Sequence, residues 1–198
     1  MKAVLLDMYG VIIKQTGDDF VPYVRRTFPH LRSEEILTPW YKADAGELSS
    51  LDVWRLLGFR GDLERIEKEY LDTLELNEGF YAFAAEMRQS GRLAVISNDS
   101  ARWSRYLRDK FDLNRYFDAV SISGELKITK PDERIYRRTL KQLGCDPSEC
   151  VYVDDREHYL AAAEKLGMRT VLFNSRGVRY DGTAVNSFPS LSALLCGK

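Results

Sequence analysis

Four short stretches of this sequence carry residues able to do chemistry together. An apolar run, V-L-L-D-M-Y-G-V, holds Asp7, with Tyr9 and Gly10 just behind it. A second run, V-I-S-N, ends on Ser97 and Asn98, and V-Y-V-D-D ends on Asp154 and Asp155. Lys130 leads K-P-D. Each has an ordinary explanation when taken alone. A terminal aspartate often caps a helix or forms a turn, Ser97 and Asn98 can cap the helix that follows, and a lysine is most often solvated. The acidic pair resists that treatment, because two adjacent like charges at the end of a buried strand are costly without a cation to offset them. Together the set supplies three carboxylates, a hydroxyl and an ammonium.

Strands must deliver these residues to one place. Five apolar, β-rich runs span Ala3–Met8, Leu93–Ser97, Ala119–Ile122, Val151–Val153 with Asp154 at its end, and Thr170–Phe173. None alternates cleanly with polar residues, as expected when both faces of a parallel sheet are covered. Helical spacing links Phe80, Phe83, Ala84 and Met87 ahead of Gly91, and Trp103, Tyr106 and Leu107 between Ser100 and Lys110. Pro131 is placed to start another helix, which turns Ile135, Tyr136, Leu140 and Leu143 inward and ends at Gly144. An Ala-rich helix from His158 to Leu166 closes at Gly167. This alternation implies right-handed βαβ units and an α/β fold, a Rossmann-like, doubly wound parallel sheet. Ligands of such sheets bind beyond the carboxyl ends of the strands, where Asp7, Ser97, Asn98, Asp154 and Asp155 fall.

Residues from about Gly17 to Glu78 read differently. Helical patterns cover Phe20–Phe28, Ser33–Tyr41, Leu51–Leu57 and Leu63–Leu76, with no good strand. Four helices are too many for one crossover. The expected organisation is a core of residues 1–16 and 79–198 with a helical cap, residues 17–78, inserted after the first strand and lying over Asp7. In the alternative arrangement these helices only cover the sheet.

The set D-M-Y-G-V, V-I-S-N, K-P-D and V-Y-V-D-D resembles the four motifs of the haloacid dehalogenase superfamily, in order and across nearly the whole Rossmann-like part. The stretch D-D-R-E-H-Y-L-A-A-A-E-K-L-G-M resembles that family's acidic-loop helix, and the insertion resembles its C1 cap. Within the cap, G-E-L-S-S-L-D-V-W is similar to a stretch common in its small-molecule phosphatases, sugar-phosphate types included. The resemblance implies Asp7 as a nucleophile that forms an aspartyl-phosphate. It implies Mg²⁺ held by Asp7, by the main-chain carbonyl of Tyr9, and by Asp154 and Asp155. Ser97 and the Asn98 amide would then meet a phosphoryl oxygen, while Lys130 neutralises nucleophile and transferred group together. The implied substrate is a small phosphate ester.

Two positions depart from the family's phosphatases. Tyr9 stands where they usually carry a second Asp, which protonates the leaving alcohol and then activates water. A phenol, with an ordinary pKa of ~10, has a proton to donate near neutrality but is a poor base. Losing a positioned acid–base typically costs ~10²–10⁴-fold, so a slow phosphatase is expected, or one whose acid comes from the cap or the substrate. The pattern D-x-Y-G also resembles the first motif of the 2-haloacid dehalogenases, which expel halide and need neither a proton nor a metal. Their fourth motif looks like S-S-N, however, and the Asp154–Asp155 pair would repel an anionic haloacid. A further alternative keeps the fold and metal site without useful turnover, as a binding or regulatory module. Tyr159 lies where the family often has Asn, so the acidic loop and metal shell are expected to be held differently.

Bulk properties set the outer bounds. The chain has 198 residues, 44% hydrophobic and 30% charged, enough for one domain with an insertion. A net charge of −1 offers no basic field for nucleic acid or anionic membrane. No run approaches the ~20 apolar residues of a membrane span, and the N-terminal run lacks a signal-peptide pattern. Cys145, Cys150 and Cys196 show no ligand spacing and read as reduced thiols, so a cytoplasmic protein is expected. Substrate choice is expected in the cap, where Arg25, Arg26, Trp40, Tyr41, Lys42 and Arg55 either reach toward the site or are helix surface and cap core. Of the two histidines, His30 and His158, the second reads as a helix-start surface residue. A monomer or homodimer is the expected form.

Overall fold

The computed structural model describes residues 1–14 and 19–197. Six parallel strands form one sheet: β1 (Ala3–Leu6), β2 (Arg92–Ser97), β3 (Ala119–Ile122), β4 (Cys150–Asp154), β5 (Arg169–Phe173) and β6 (Ala184–Val185). Their order is β3-β2-β1-β4-β5-β6, so the winding reverses between β1 and β4. That reversal opens a crevice beyond the carboxyl ends of the two central strands. The sheet is buried on both faces. Val4, Leu6, Leu93, Val95, Val151 and Val153 belong to one apolar cluster, and Ala3, Leu5, Ala94, Ile96, Cys150 and Tyr152 to the other. Alternate residues therefore serve opposite layers, which is why the strands read as unbroken apolar runs.

Helices α1 (Phe20–Arg25), α2 (Ser33–Asp44), α3 (Ser50–Leu56) and α4 (Leu63–Asp72) all lie between β1 and β2, followed by α5 (Phe80–Ser90). The rest are α6 (Ala101–Lys110), α7 (Ser123–Leu126), α8 (Glu133–Leu143), α9 (Glu157–Lys165) and α10 (Phe188–Cys196). Several ends differ from the sequence expectation for local reasons. Helix α8 starts after Pro131, because the Asp132 carboxylate accepts the Arg134 N–H at 2.9 Å and caps the helix there. Helix α4 stops at Asp72, where the Lys110 ammonium of α6 donates to the carbonyls of Leu71, Asp72 and Leu74. Strand β1 ends at Leu6, because the chain turns at Gly10 (φ +79°) and the Met8 carbonyl accepts the N–H groups of Ile12 and Ile13. Strand β6, with two residues, was not expected at all. The boundary expected between residues 16 and 17 lies outside the described residues. None of the described helices is long and apolar enough to cross a membrane.

The insertion α1–α4 is tied down at both ends. Its two connecting chains pair with each other: Ile13 bridges antiparallel to Leu76, and the Asn77 side chain donates to the Val11 carbonyl at 2.7 Å. Its interior is aromatic and continuous with the core. The Phe20 ring centroid lies 4.3–5.5 Å from those of Trp40, Tyr70, Trp54 and Trp103, the last contributed by α6. Within this cluster Glu67 of α4, 2% exposed, accepts the indole N–H of Trp54 at 3.2 Å and of Trp103 at 2.5 Å, and pairs with Arg102 at 2.5 Å. Removing that carboxylate strands two buried donors, at about 1–3 kcal/mol each. Glu67→Ala is therefore expected to lower the unfolding free energy by about 2–4 kcal/mol in a urea titration. A loss below about 1 kcal/mol would show that the carboxylate does not fasten the insertion to α6.

Candidate active site

Strand register brings the first two carboxylates together. Leu6 pairs with Val153, and the Asp7 N–H donates to the Val153 carbonyl at 2.9 Å, so Asp7 and Asp154 end neighbouring strands. The alternation that puts Leu5 and Tyr152 in one layer turns Asp7 and Asp154 the same way. Lys130, 3% exposed, sits between them with Nζ 2.8 Å from Asp7 Oδ1 and 2.8 Å from Asp154 Oδ2. Asp154 Oδ2 also accepts the Tyr152 hydroxyl, and its Oδ1 accepts the Arg156 N–H. Asp7 Oδ1 also accepts the Met8 N–H at 2.7 Å, and its Oδ2 takes no hydrogen bond among the described residues. Burial opposes the charge on Lys130, but the carboxylates outweigh it and raise its pKa. Burial, then the neighbouring Asp154, pushes Asp7 up to about 8.

Asp155 completes an acidic corner. One oxygen from each of Asp7, Asp154 and Asp155 falls within 4.8 Å of the others. Asp155 is 5% exposed, and its Oδ2 is buried without a hydrogen-bond partner. Burial and Asp154 raise its carboxyl to about 6. Gly10 makes room for it, since a Cβ at that position would meet the Asp155 carboxyl carbon at 2.7 Å. The Tyr9 carbonyl accepts no hydrogen bond among the described residues. Crowded carboxylates, an Asp155 Oδ2 that lacks a hydrogen bond although the Arg176 guanidinium stands 3.9 Å away, and the Tyr9 carbonyl are a hard-oxygen donor set that fits Mg²⁺, and a cation there would reverse the upward shifts.

These groups face a cavity of about 290 Å³. Its lining comes from Asp7, Tyr9, Asn98, Lys130 and Asp155, from Leu37, Trp40, Tyr41 and Asp44 of α2, and from Arg156, His158 and Tyr159. The Asn98 side chain fastens the Lys130 loop, accepting the Lys130 N–H at 2.7 Å and donating to its carbonyl at 3.1 Å. Ser97 lies beneath, fully buried, its Oγ without a partner and outside the cavity walls. Tyr9 Oη is likewise buried, on the side of the buried Asp99 carboxylate. The Tyr159 ring lies 4.6 Å from Lys130 Nζ, and its hydroxyl accepts the Asn98 side-chain amide at 3.2 Å. Of the cap residues considered, Trp40 and Tyr41 reach the cavity, whereas Arg25, Arg26, Lys42 and Arg55 are exposed away from it. His158 is exposed at the start of α9, as expected, and lines the rim.

Three acidic residues escaped sequence reasoning. Asp44 (7% exposed) and Asp99 (0%) are buried beside the site, and Glu67 lies deeper under the insertion. Only Asp44 left a signal, a tryptophan one helical turn earlier at Trp40. A sequence model of the haloacid dehalogenase-like hydrolases matches residues 1–167.

The chain belongs to that family.

This haloacid dehalogenase-like hydrolase is 28% identical over 185 residues to drimenol cyclase drtB of Aspergillus calidoustus, covering 89% of the chain and 34% of that protein. It is 28% identical to (S)-2-haloacid dehalogenase 4A of Burkholderia cepacia over 70% of the chain and 60% of that protein. It is 30% identical to phosphatase MT3486 of Mycobacterium tuberculosis over 69% of the chain and 65% of that protein. The chain thus spans between a third and two thirds of the length of these curated relatives. Among solved structures, a phosphatase of the family from Thermococcus onnurineus superposes with a TM-score of 0.78 at 22% identity, covering 100% of this chain and 99% of that one. A family enzyme from Bacteroides thetaiotaomicron, in complex with magnesium and inorganic phosphate, does so at 0.74 and 18% identity, covering 91% and 98%. These likenesses establish the fold of the whole chain, six parallel strands with the insertion after the first.

Proposed function

We propose that the chain is a Mg²⁺-dependent phosphomonoester hydrolase acting on a small metabolite such as a sugar phosphate, with α1–α4 as its cap. The observation that carries this reading is the convergence of Asp7, Asp154 and Asp155 around one point beside Lys130. Magnesium held by those carboxylates and the Tyr9 carbonyl supplies charge neutralisation at the phosphoryl group. Lys130 and the Met8 amide hold Asp7 Oδ1, which presents Oδ2 to phosphorus in line with the leaving oxygen. Lys130 then faces nucleophile and transferred phosphoryl together. The Asn98 backbone N–H, at the cavity wall, is assigned to a phosphoryl oxygen; the Ser97 hydroxyl, sealed beneath that wall, would reach one only if the wall shifted. Arg156, at the rim, would draw a dianionic ester toward the cavity. Water finally cleaves the aspartyl-phosphate.

Tyr9 and the similarity to a haloacid dehalogenase favour a second reading, attack on carbon with loss of halide. The acidic corner weighs against it, since three crowded carboxylates repel a haloacid unless a cation is present. One assay separates the two. With p-nitrophenyl phosphate, phosphate release is expected with Mg²⁺ and is expected to fall at least about 100-fold in EDTA. Halide release from 2-chloropropionate without metal would establish the dehalogenase instead, and silence in both assays would favour a binding module.

A further inference from the structure

Hydrolysis of an ester with a poor leaving group needs a proton for the departing oxygen. Tyr9 is badly placed to give one. Its Oη is buried on the side of Asp99, and its phenol is held well above the ordinary range by burial and then by that carboxylate. The cap places another acid at the cavity. Asp44, at the C-terminal end of α2, lines the same cavity as Asp7 and Lys130. Its Oδ2 accepts the Trp40 indole N–H at 2.9 Å, and its other oxygen takes no hydrogen bond among the described residues and is not one of the sealed, unpartnered atoms. Its backbone is pinned to the core, because the Ser123 hydroxyl donates to the Asp44 carbonyl at 2.5 Å. Two residues on, Gly46 (φ +71°) lies so close to α7 that a Cβ there would meet the Gly124 carbonyl oxygen at 2.7 Å. The titratable groups around Asp44 are Lys130 after β3, Asp99 after β2, Tyr9 after β1 and Tyr70 of α4.

We propose that Asp44 is the general acid and base of this site, standing in for the aspartate that Tyr9 replaces. The proposal rests on the phosphatase reading. In the first step Asp7 Oδ2 bonds to phosphorus, the bond from phosphorus to the leaving oxygen breaks with its electron pair on that oxygen, and Asp44 gives it a proton. In the second step water bonds to phosphorus, the electron pair of the breaking bond returns to Asp7, and Asp44 takes the proton that water loses. The net change is ester plus water to alcohol plus phosphate, with both aspartates restored. Burial, opposed by the Trp40 hydrogen bond, raises the Asp44 carboxyl to about 8, so the proton is present at neutral pH.

The test compares phenyl phosphate with p-nitrophenyl phosphate, esters of like shape whose leaving groups differ in their need for a proton. Asp44→Asn, the neutral isostere, is expected to lose about 100-fold or more in kcat/KM on phenyl phosphate and at least tenfold less than that in kcat/KM on p-nitrophenyl phosphate, since kcat/KM stops at the first step and leaves out the hydrolysis common to both esters. Equal losses on both esters, or none, overturn the proposal. The wild-type enzyme gives a measure that needs no variant to fold: its two turnover numbers are expected within about tenfold of each other, and a wider gap overturns the proposal. Wild-type inactivity on both esters is a different failure, removing the phosphatase reading and the proposal with it.

Discussion

Asp7→Asn is expected to abolish phosphate release, lowering turnover of p-nitrophenyl phosphate by at least about 10⁴-fold, as removal of a covalent nucleophile does. Oδ1 is occupied by Lys130 and the Met8 amide, so the reacting atom is Oδ2, and an amide in its place neither attacks phosphorus nor carries charge to a cation. The fold should survive, because the wild-type carboxylate is itself unfavourable there. A carboxyl raised from ~3.9 unfolded to about 8 folded costs the native state stability as pH rises between those values. Without metal, then, Asp7→Asn is expected to melt above the wild type at neutral pH. Adding Mg²⁺ should stabilise the wild type more than the variant. Turnover within about tenfold of wild type would move the nucleophile elsewhere.

Lys130→Met carries the second large effect. The ammonium is buried between two carboxylates, 2.8 Å from each, and accompanied by the Tyr152 hydroxyl at 3.1 Å. Methionine fills much of the same volume but leaves Asp7 and Asp154 facing each other with no counter-charge. Breaking a buried ion pair from one side costs about 3–5 kcal/mol, to be read from the urea midpoint in metal-free buffer. Magnesium restores part of it, about 2.7 kcal/mol at a hundred times its dissociation constant, whereas turnover stays low for want of the lysine. A metal-free loss below about 1 kcal/mol would mean that the carboxylates protonate instead and that the lysine matters only for chemistry.

Much of this was legible from the chain alone because the information was local. Asp7, Ser97, Asp154 and Asp155 each follow a short apolar run, and a parallel sheet leaves strand ends only one rim at which to gather. Lys130 was placed by its motif rather than by its neighbours. Asp44 and Glu67 were illegible because both look like ordinary helix-surface acids. Their burial is decided by partners far away in sequence, Lys130 and Ser123 for the first and Trp103 for the second. The four inserted helices showed in the periodicity. What did not show was that their apolar faces merge with that of α6 through Trp103. Strand β6 is too short to carry any pattern, and Asp132 overrode Pro131 as the start of α8 by offering a better cap.

That merging of aromatic rings also shapes the mouth of the cavity. Roof and wall share one packed interior among the described residues, so the same rings that hold the insertion also set the outline of the doorway. The room beyond holds about ten waters' worth of space, enough for a phosphoryl head and a few carbons. Anything larger must leave its remainder outside, resting on Tyr41 and His158 at the threshold.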